Sequence, residues 1–335
     1  MRTSTFIRST GIALVLAAAA PAFADDQSTP AAPPAAPADA AAAPAAPTPF
    51  LKWSGHVEVG DTATTQTGAR SLNWGHLFTD RDGEVLLNQA SIAVEHDIDS
   101  SSKKTNWGFR VQGVYGADAR YTHTLGILNN TTDGINQFDF FEADVQAHFP
   151  VLTPGGMDVK AGIYPTLLGA EVMDATGNFF YTHNYIFNFG VPLKHTGVLT
   201  TTHFKTFDLM LGVDSGINSS FGTAGDANGA PAFLGGLTYN GKLVTVAFST
   251  HIGPEDARGS VDFSGRPIDA NTAMRYLFDT VITYKISPKL TSLTDMNYIQ
   301  DDGYHVSGGG ISEQMVYTYN DYLSFGLRGE VWDDG

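Results

Sequence analysis

Three groups of side chains in this chain are of a type and spacing that could do chemistry. Glu142 and Asp144 stand two residues apart, and Arg110 and Lys160 lie in neighbouring segments of the same alternating character. In an extended chain that spacing puts side chains on one face, where acids and bases pair or set the field met by a passing solute. Arg120 extends the basic set beyond one such segment. The second group is Glu171, Asp174, Asn178, His183, Asn184, Asn188 and Lys194, interleaved with Phe179, Phe180, Tyr181, Tyr185, Phe187 and Phe189. Exposed loops of that length are seldom so aromatic. A stretch that folds back and packs explains both the rings and the polar groups. The third group, His183, His195, His203 and His251, shows no metal-ligand spacing along one strand face, so each is read as a structural polar histidine.

Other chemistries are excluded or left without support. The chain has no cysteine, which removes disulfides, thiolate nucleophiles and Cys-ligated metal sites. Its formal charge is −16, with 35 Asp and Glu against 19 Lys and Arg, which argues against nucleic acid as a partner. The acidic runs Asp80–Asp82, Asp301-Asp302 and Asp333-Asp334 lack the Gly and Glu placements of an EF-hand. No G-x-S-x-G, P-loop or H-E-x-x-H motif occurs. No catalytic residue, metal or cofactor is expected. A hydrolase built on the same scaffold is the remaining enzymatic reading, because Ser, His and Asp are plentiful.

The elements that must position these residues are strands. Period-two alternation recurs near 53–60, 87–96, 106–116, 138–149, 157–164, 195–204, 206–214, 233–240, 242–252, 276–286, 289–300, 312–319 and 322–332. No apolar run is long enough for a transmembrane helix. The connections alternate long (61–86, 117–136, 165–194, 215–232, 253–275, and a medium 301–311) with short (97–105, Pro150–Gly156, Lys205, Asn240-Gly241, Ser287-Pro288, Asn320-Asp321). Upstream, Arg2 and Arg8, the apolar run Gly11–Ala20 and Ala22-Phe23-Ala24 read as a cleaved secretory signal over 1–24. Its removal takes two Arg and no acid, moving the charge from −16 to −18. Residues 25–49, rich in Ala and Pro, read as a semi-extended periplasmic linker.

This pattern specifies an all-β fold: a transmembrane antiparallel up-and-down barrel over 50–335, with turns on the periplasmic side and loops outside. In lipid an unpaired backbone edge costs several kcal/mol per group, so a spanning sheet must close. Trp53, Trp107, Tyr115, Phe149, Tyr164 and Trp332 at strand ends fit interfacial girdles. A mean hydropathy of −0.09 then reflects an apolar outer band averaged with a polar inside. A soluble β-sandwich also gives alternating strands, but it would bury the apolar face.

Three segments carry a resemblance. WGFRVQGVYGADARYT at 107–122, EVMDATGNFFYTHNYIFNFGVPLKHTGV at 171–198 and FLGGLTY at 233–239 resemble the OmpL-like putative β-barrel porin family, with similarity from about Trp53 to the end. The resemblance implies an outer-membrane barrel with pore function and names no solute. An end at Trp332-Asp333-Asp334-Gly335 after about thirteen strands departs from such barrels, which finish on an aromatic, periplasmic strand end. The expectation is a C-terminally truncated barrel of about 14 to 18 strands when intact.

The function expected is passive diffusion of small hydrophilic solutes through a polar lumen narrowed by the inward-folded loop 165–194. Arg110, Arg120, Glu142, Asp144, Lys160, Glu171, Asp174, His183 and Lys194 are the pore-lining candidates. Inward acids outnumber bases, which suggests a cation preference. The alternatives are that the loop forms an external cap or protomer contact, and that the barrel does not conduct but binds surfaces. Expected partners are outer-membrane lipid, lipopolysaccharide, the solutes themselves and further copies of the chain.

Overall fold

In the computed structural model the alternating segments join one antiparallel sheet. The structure describes residues 15–18, 50–64, 73, 75–130, 132–221 and 228–335. The expected signal and linker, 1–24 and 25–49, lie outside them apart from the backbone of Val15–Ala18. The main strands are β1 (Lys52–Gly60), β2 (Leu86–His96), β3 (Asn106–Gly116), β4 (Gln137–Phe149), β5 (Met157–Pro165), β6 (Lys194–His203) and β7 (Phe207–Asp214). They continue as β8 (Ala232–Asn240), β9 (Val244–Pro254), β10 (Met274–Ser287), β11 (Leu290–Asp301), β12 (Val306–Asn320) and β13 (Leu323–Asp333). Among these thirteen, each pairs only with its sequence neighbours, the up-and-down order expected. The sheet is open: β1 and β13 are not paired with each other, and the free side of β13 pairs with Val15–Ala18.

The burial pattern decides between sandwich and barrel. Val57 is 70 % exposed, Ile92 61 %, Val145 63 % and Val331 69 %. On the opposite face Gln89, Asp279, Asp295 and His148 are buried. Apolar side chains face outward and polar ones inward, the reverse of a soluble core and the arrangement a lipid surround requires.

The sheet also wraps. Tyr181 bonds Asn88 on β2, and four residues later Tyr185 bonds Glu330 on β13. Laid flat, those strands would be about eleven spacings of ~4.8 Å apart, roughly 50 Å. Four residues span at most about 14 Å. The two flanks therefore curl toward each other around residues 166–193.

Three local details differ from the sequence reading. Alternation puts Phe141 outside with Ala143, but a bulge opposite Gln112 and Gly113 turns it inward, where it is buried against Phe78, Val114 and Phe187. The medium connection 301–311 shrinks to 302–305, because β12 starts at Val306 and takes in Gly308–Gly310. Only a glycine fits at 310, where the Trp332 ring lies on the backbone. Lys194 and Pro165 are not loop residues; they pair with each other in β6 and β5, so the loop proper is 166–193.

Candidate functional site

The loop 166–193 is closed at its base, where Thr166 N–H donates to Leu193 O at 3.1 Å just above the Pro165–Lys194 pair. Its interior is ordered by its own polar side chains. Asp174 accepts from Thr176 N–H at 2.9 Å and starts a 3₁₀ turn over Ala175–Gly177. Asn184 accepts from Phe187 N–H at 2.7 Å at the head of a wide helical turn over Ile186–Gly190. The apolar residues sort into two clusters against inward-facing strand residues. Met173, Phe187 and Leu193 join Val114 and Phe141, while Leu168 joins Tyr164, Leu199, Leu234 and Leu277. Phe179 lies over Gly326, where any side chain would collide with its ring.

Hydrogen bonds fix the loop to both flanks of the polar face. On β2 and β3, Gln89 donates to Met173 O at 2.8 Å and accepts from Ala175 N–H at 3.2 Å, and Gln112 donates to Asp174 at 2.5 Å. On β10 and β11, Asp279 and Asp295 accept from the backbone N–H of Gly169 and Ala170, at 3.0 and 2.9 Å. Asn297 donates to Gly190 O at 3.1 Å. Buried carboxylates need such donors, since an unmet one is costly.

Glu171 is the densest node. One oxygen accepts from Gln314 and Arg328, at 3.0 and 2.9 Å; the other accepts from His183 and the Asn184 N–H, at 3.0 and 2.9 Å. Arg328 also donates to Thr182 O and, at 2.9 Å, to Thr182 Oγ1, and lies 5.0 Å above the Phe180 ring. Burial pushes the Glu171 carboxyl up. The His183 hydrogen bond, the charges of His183 and Arg328 and the Asn184 amide outweigh it and hold the carboxyl below its usual range.

The nine sequence candidates thus fall into separate places. Glu171 and His183 meet at the node. Asp174 touches Gln112 and joins the loop to a second cluster on β2–β5. There Arg110 pairs with Glu95 and, at 2.9 Å, with Glu142, while Lys160 reaches Glu142 at 2.7 Å and Asp144 at 3.8 Å. Arg120 stands apart on a helical turn (Ala119–Thr122) between β3 and β4, where it holds Asp80 at 3.0 Å. Lys194 is fully buried in the wall on Asp139 and the Phe140 carbonyl. Gln89, Gln314 and Asp295 hold the loop and were not among the candidates. Their signal was only an alternating position on a distant strand. Below the loop, Ala170 overhangs an open recess lined by Thr238, Thr245, Ala247, Val281, Thr283 and Leu293.

The family described as "Putative beta-barrel porin-2, OmpL-like" matches residues 50–335. No curated protein matches the chain. Among solved structures, the outer membrane channel DcaP of Acinetobacter baumannii is similar at 11 % identity and a TM-score of 0.41, over 84 % of this chain and 97 % of that one. Salmonella typhi OmpF in complex with daunomycin gives 12 % identity and a TM-score of 0.41, over 84 % and 97 %. OmpT of Vibrio cholerae gives 10 % and 0.34, over 76 % and 92 %. These likenesses are distant, and the family match rests on the span 50–335.

Proposed function

Since the chain belongs to the OmpL-like putative β-barrel porin family, we propose that it forms an outer-membrane pore for passive diffusion of small hydrophilic solutes, with loop 166–193 as the constriction. The observation that carries this reading is the attachment of one loop to both flanks of the polar face. A loop so held crosses the space the sheet curls around, and whatever passes must pass beside it. No covalent step is involved. The polar wall replaces part of a solute's hydration, and the paired acids and bases on β2–β5 and at the node set the field it meets. Formal charge on that path favours acids: Glu95, Glu142, Asp144, Asp174, Asp279, Asp295 and Glu330 against Arg110, Lys160 and Arg328. We read this as a cation preference. Export through a signal at 1–24, with a periplasmic linker at 25–49, completes the proposal.

A second reading is a plugged, non-conducting barrel that acts through its outer surface. The two apolar clusters that bury the loop against the wall favour it. One experiment separates the two: full-length protein in a planar bilayer. Stepwise conductance with cation-favouring reversal potentials is expected, and deletion of 171–193 should enlarge the steps. Absence of steps in the intact protein, with steps only after deletion, supports the plug. Anion-favouring potentials overturn the selectivity.

A further inference from the structure

Outside the loop and the β2–β5 cluster, one group of buried side chains has no role in the pore reading. His195 at the start of β6, Asp214 at the end of β7 and His251 near the end of β9 converge on the polar face, all three buried, with one ligand-capable atom from each within 4.8 Å of the others. These strand ends lie on the side of the sheet that carries the long connections. From these residues we infer a binding site for a divalent transition cation of the zinc type, ligated by His195, Asp214 and His251.

The geometry fits such an ion. In a tetrahedral zinc site with bonds of about 2.0–2.1 Å, donor atoms stand roughly 3.3 Å apart. His195 Nδ1 is 3.2 Å from Asp214 Oδ2, and His251 Nε2 is 3.1 Å from Asp214 Oδ1. Glu255 Oε1 is 3.8 Å from the opposite nitrogen, His251 Nδ1, where it orients the ring from behind. The His195 and His251 rings lie 4.8 Å apart, close for two imidazoles that nothing separates.

The second observation concerns partners. His195 Nδ1, Asp214 Oδ2, His251 Nδ1 and Glu255 Oε1 are all buried without a hydrogen bond. His195 Nδ1 and Asp214 Oδ2 are close, but they are not aligned as donor and acceptor. Leaving such atoms unmet is costly, and two of them, His195 Nδ1 and Asp214 Oδ2, stand 3.2 Å apart beside His251. The other atom of each group, by contrast, is tied down. His195 Nε2 meets Thr166 Oγ1 at 2.9 Å, Asp214 Oδ1 accepts from Gly216 N–H at 2.8 Å, and Glu255 Oε2 accepts from Ile217 N–H at 2.9 Å; His251 Nε2 is hydrogen-bonded to Asp214 Oδ1 at 3.1 Å, a bond the ion would replace. Outer partners of this kind orient ligands and fix the histidine tautomer. Two imidazoles with a carboxylate form a nitrogen–oxygen set that suits zinc, cobalt, nickel or copper and not calcium or magnesium. Thr166 belongs to the loop base, so a bound ion would tie three strand ends to the root of the constriction.

The test uses the full chain, purified in detergent, stripped with a chelator and dialysed against Zn2+ or Co2+. One Zn2+ per chain is expected, with the intense visible d–d bands of tetrahedral cobalt on loading with Co2+. H195A and H251A should each abolish stoichiometric binding. E255Q should weaken it about tenfold. H203A, on a histidine of β6 outside the cluster, should bind as the intact chain does. A second measurement needs no variant: the zinc-edge X-ray absorption of the loaded chain should show nitrogen and oxygen neighbours at about 2.0–2.1 Å with the multiple scattering of imidazole. Failure of the folded intact chain to bind, binding retained in H195A/H251A, or a zinc spectrum without imidazole neighbours would each overturn the site and leave a hydrogen-bonded polar cluster. None of these outcomes bears on conductance.

Discussion

Replacing Glu171 by Gln tests whether the loop is held where it lies. The four donors at Glu171 divide evenly, Gln314 and Arg328 on one oxygen and His183 and the Asn184 amide on the other. Gln has nearly the same shape but offers one oxygen and one NH2. Whichever way it turns, two donors face a donor. A hydrogen bond to a charged group contributes about 1.5–3 kcal/mol, and breaking one side of a buried ion pair costs about 3–5 kcal/mol. Both routes give a loss near 3–5 kcal/mol for the closed loop, or roughly 10²- to 10⁴-fold in its open fraction. Hydrogen exchange at Gly169 and Ala170 reports this well, because their amides sit on Asp279 and Asp295, on the other flank from the Asn88 and Gln89 contacts. E171Q should speed their exchange by about that factor and make bilayer conductance noisier. A cycle with R328Q should be strongly non-additive, since Arg328 is left unmet once Glu171 is gone. Unchanged exchange at Gly169 and Ala170 in a folded E171Q protein would refute the idea that this node holds the loop.

Two further outcomes follow. Val145→Arg places a charge on an exposed mid-strand position of β4; in a soluble protein such a change costs within about 0.5 kcal/mol, but on a lipid-facing strand it should cost about 2–4 kcal/mol, measured by urea titration in lipid vesicles. A cost near zero would contradict a membrane-facing β4. As for pH, the Glu171 carboxyl lies below its ordinary 4.5 in the folded state, so its contribution to loop closure is complete above that value and is lost only as pH falls through the lower folded value. The step in conductance that Glu171 contributes should therefore come below about pH 4.5 and be missing in E171Q. A rise that begins well above pH 5 in the intact protein would assign the change to another group.

The strands were legible because alternation is a local signal, and all thirteen segments read from the sequence form strands. What was not legible depends on distance. The inward turn of Phe141 comes from a bulge, which shifts the period by one without a change of composition. Lys194 reads as a loop residue because PLKHTG has no alternation, yet pairing with Pro165 puts it in the wall. Arg328 and Glu171 are far apart in sequence, and nothing local to either names the other. His195 and His251 show no ligand spacing along one strand because their nearness is made across strands, with Asp214 between them.

The way the loop is fastened bears on the proposed selectivity. A loop tied down by lysines would cancel the acids of the wall. Here Asp279 and Asp295 are met by backbone N–H groups, which carry partial charge only. Glu330 is likewise met by the Tyr185 amide at 2.6 Å. The amides satisfy the carboxylates' need for donors without adding a formal positive charge of their own. Arg328 is the exception, and it is occupied by Glu171 and Thr182. Fastening by amides thus serves two demands of the proposed pore that otherwise conflict: a constriction held firmly enough to set a width, and a fastening that sets no opposing formal charge against the acids of the wall.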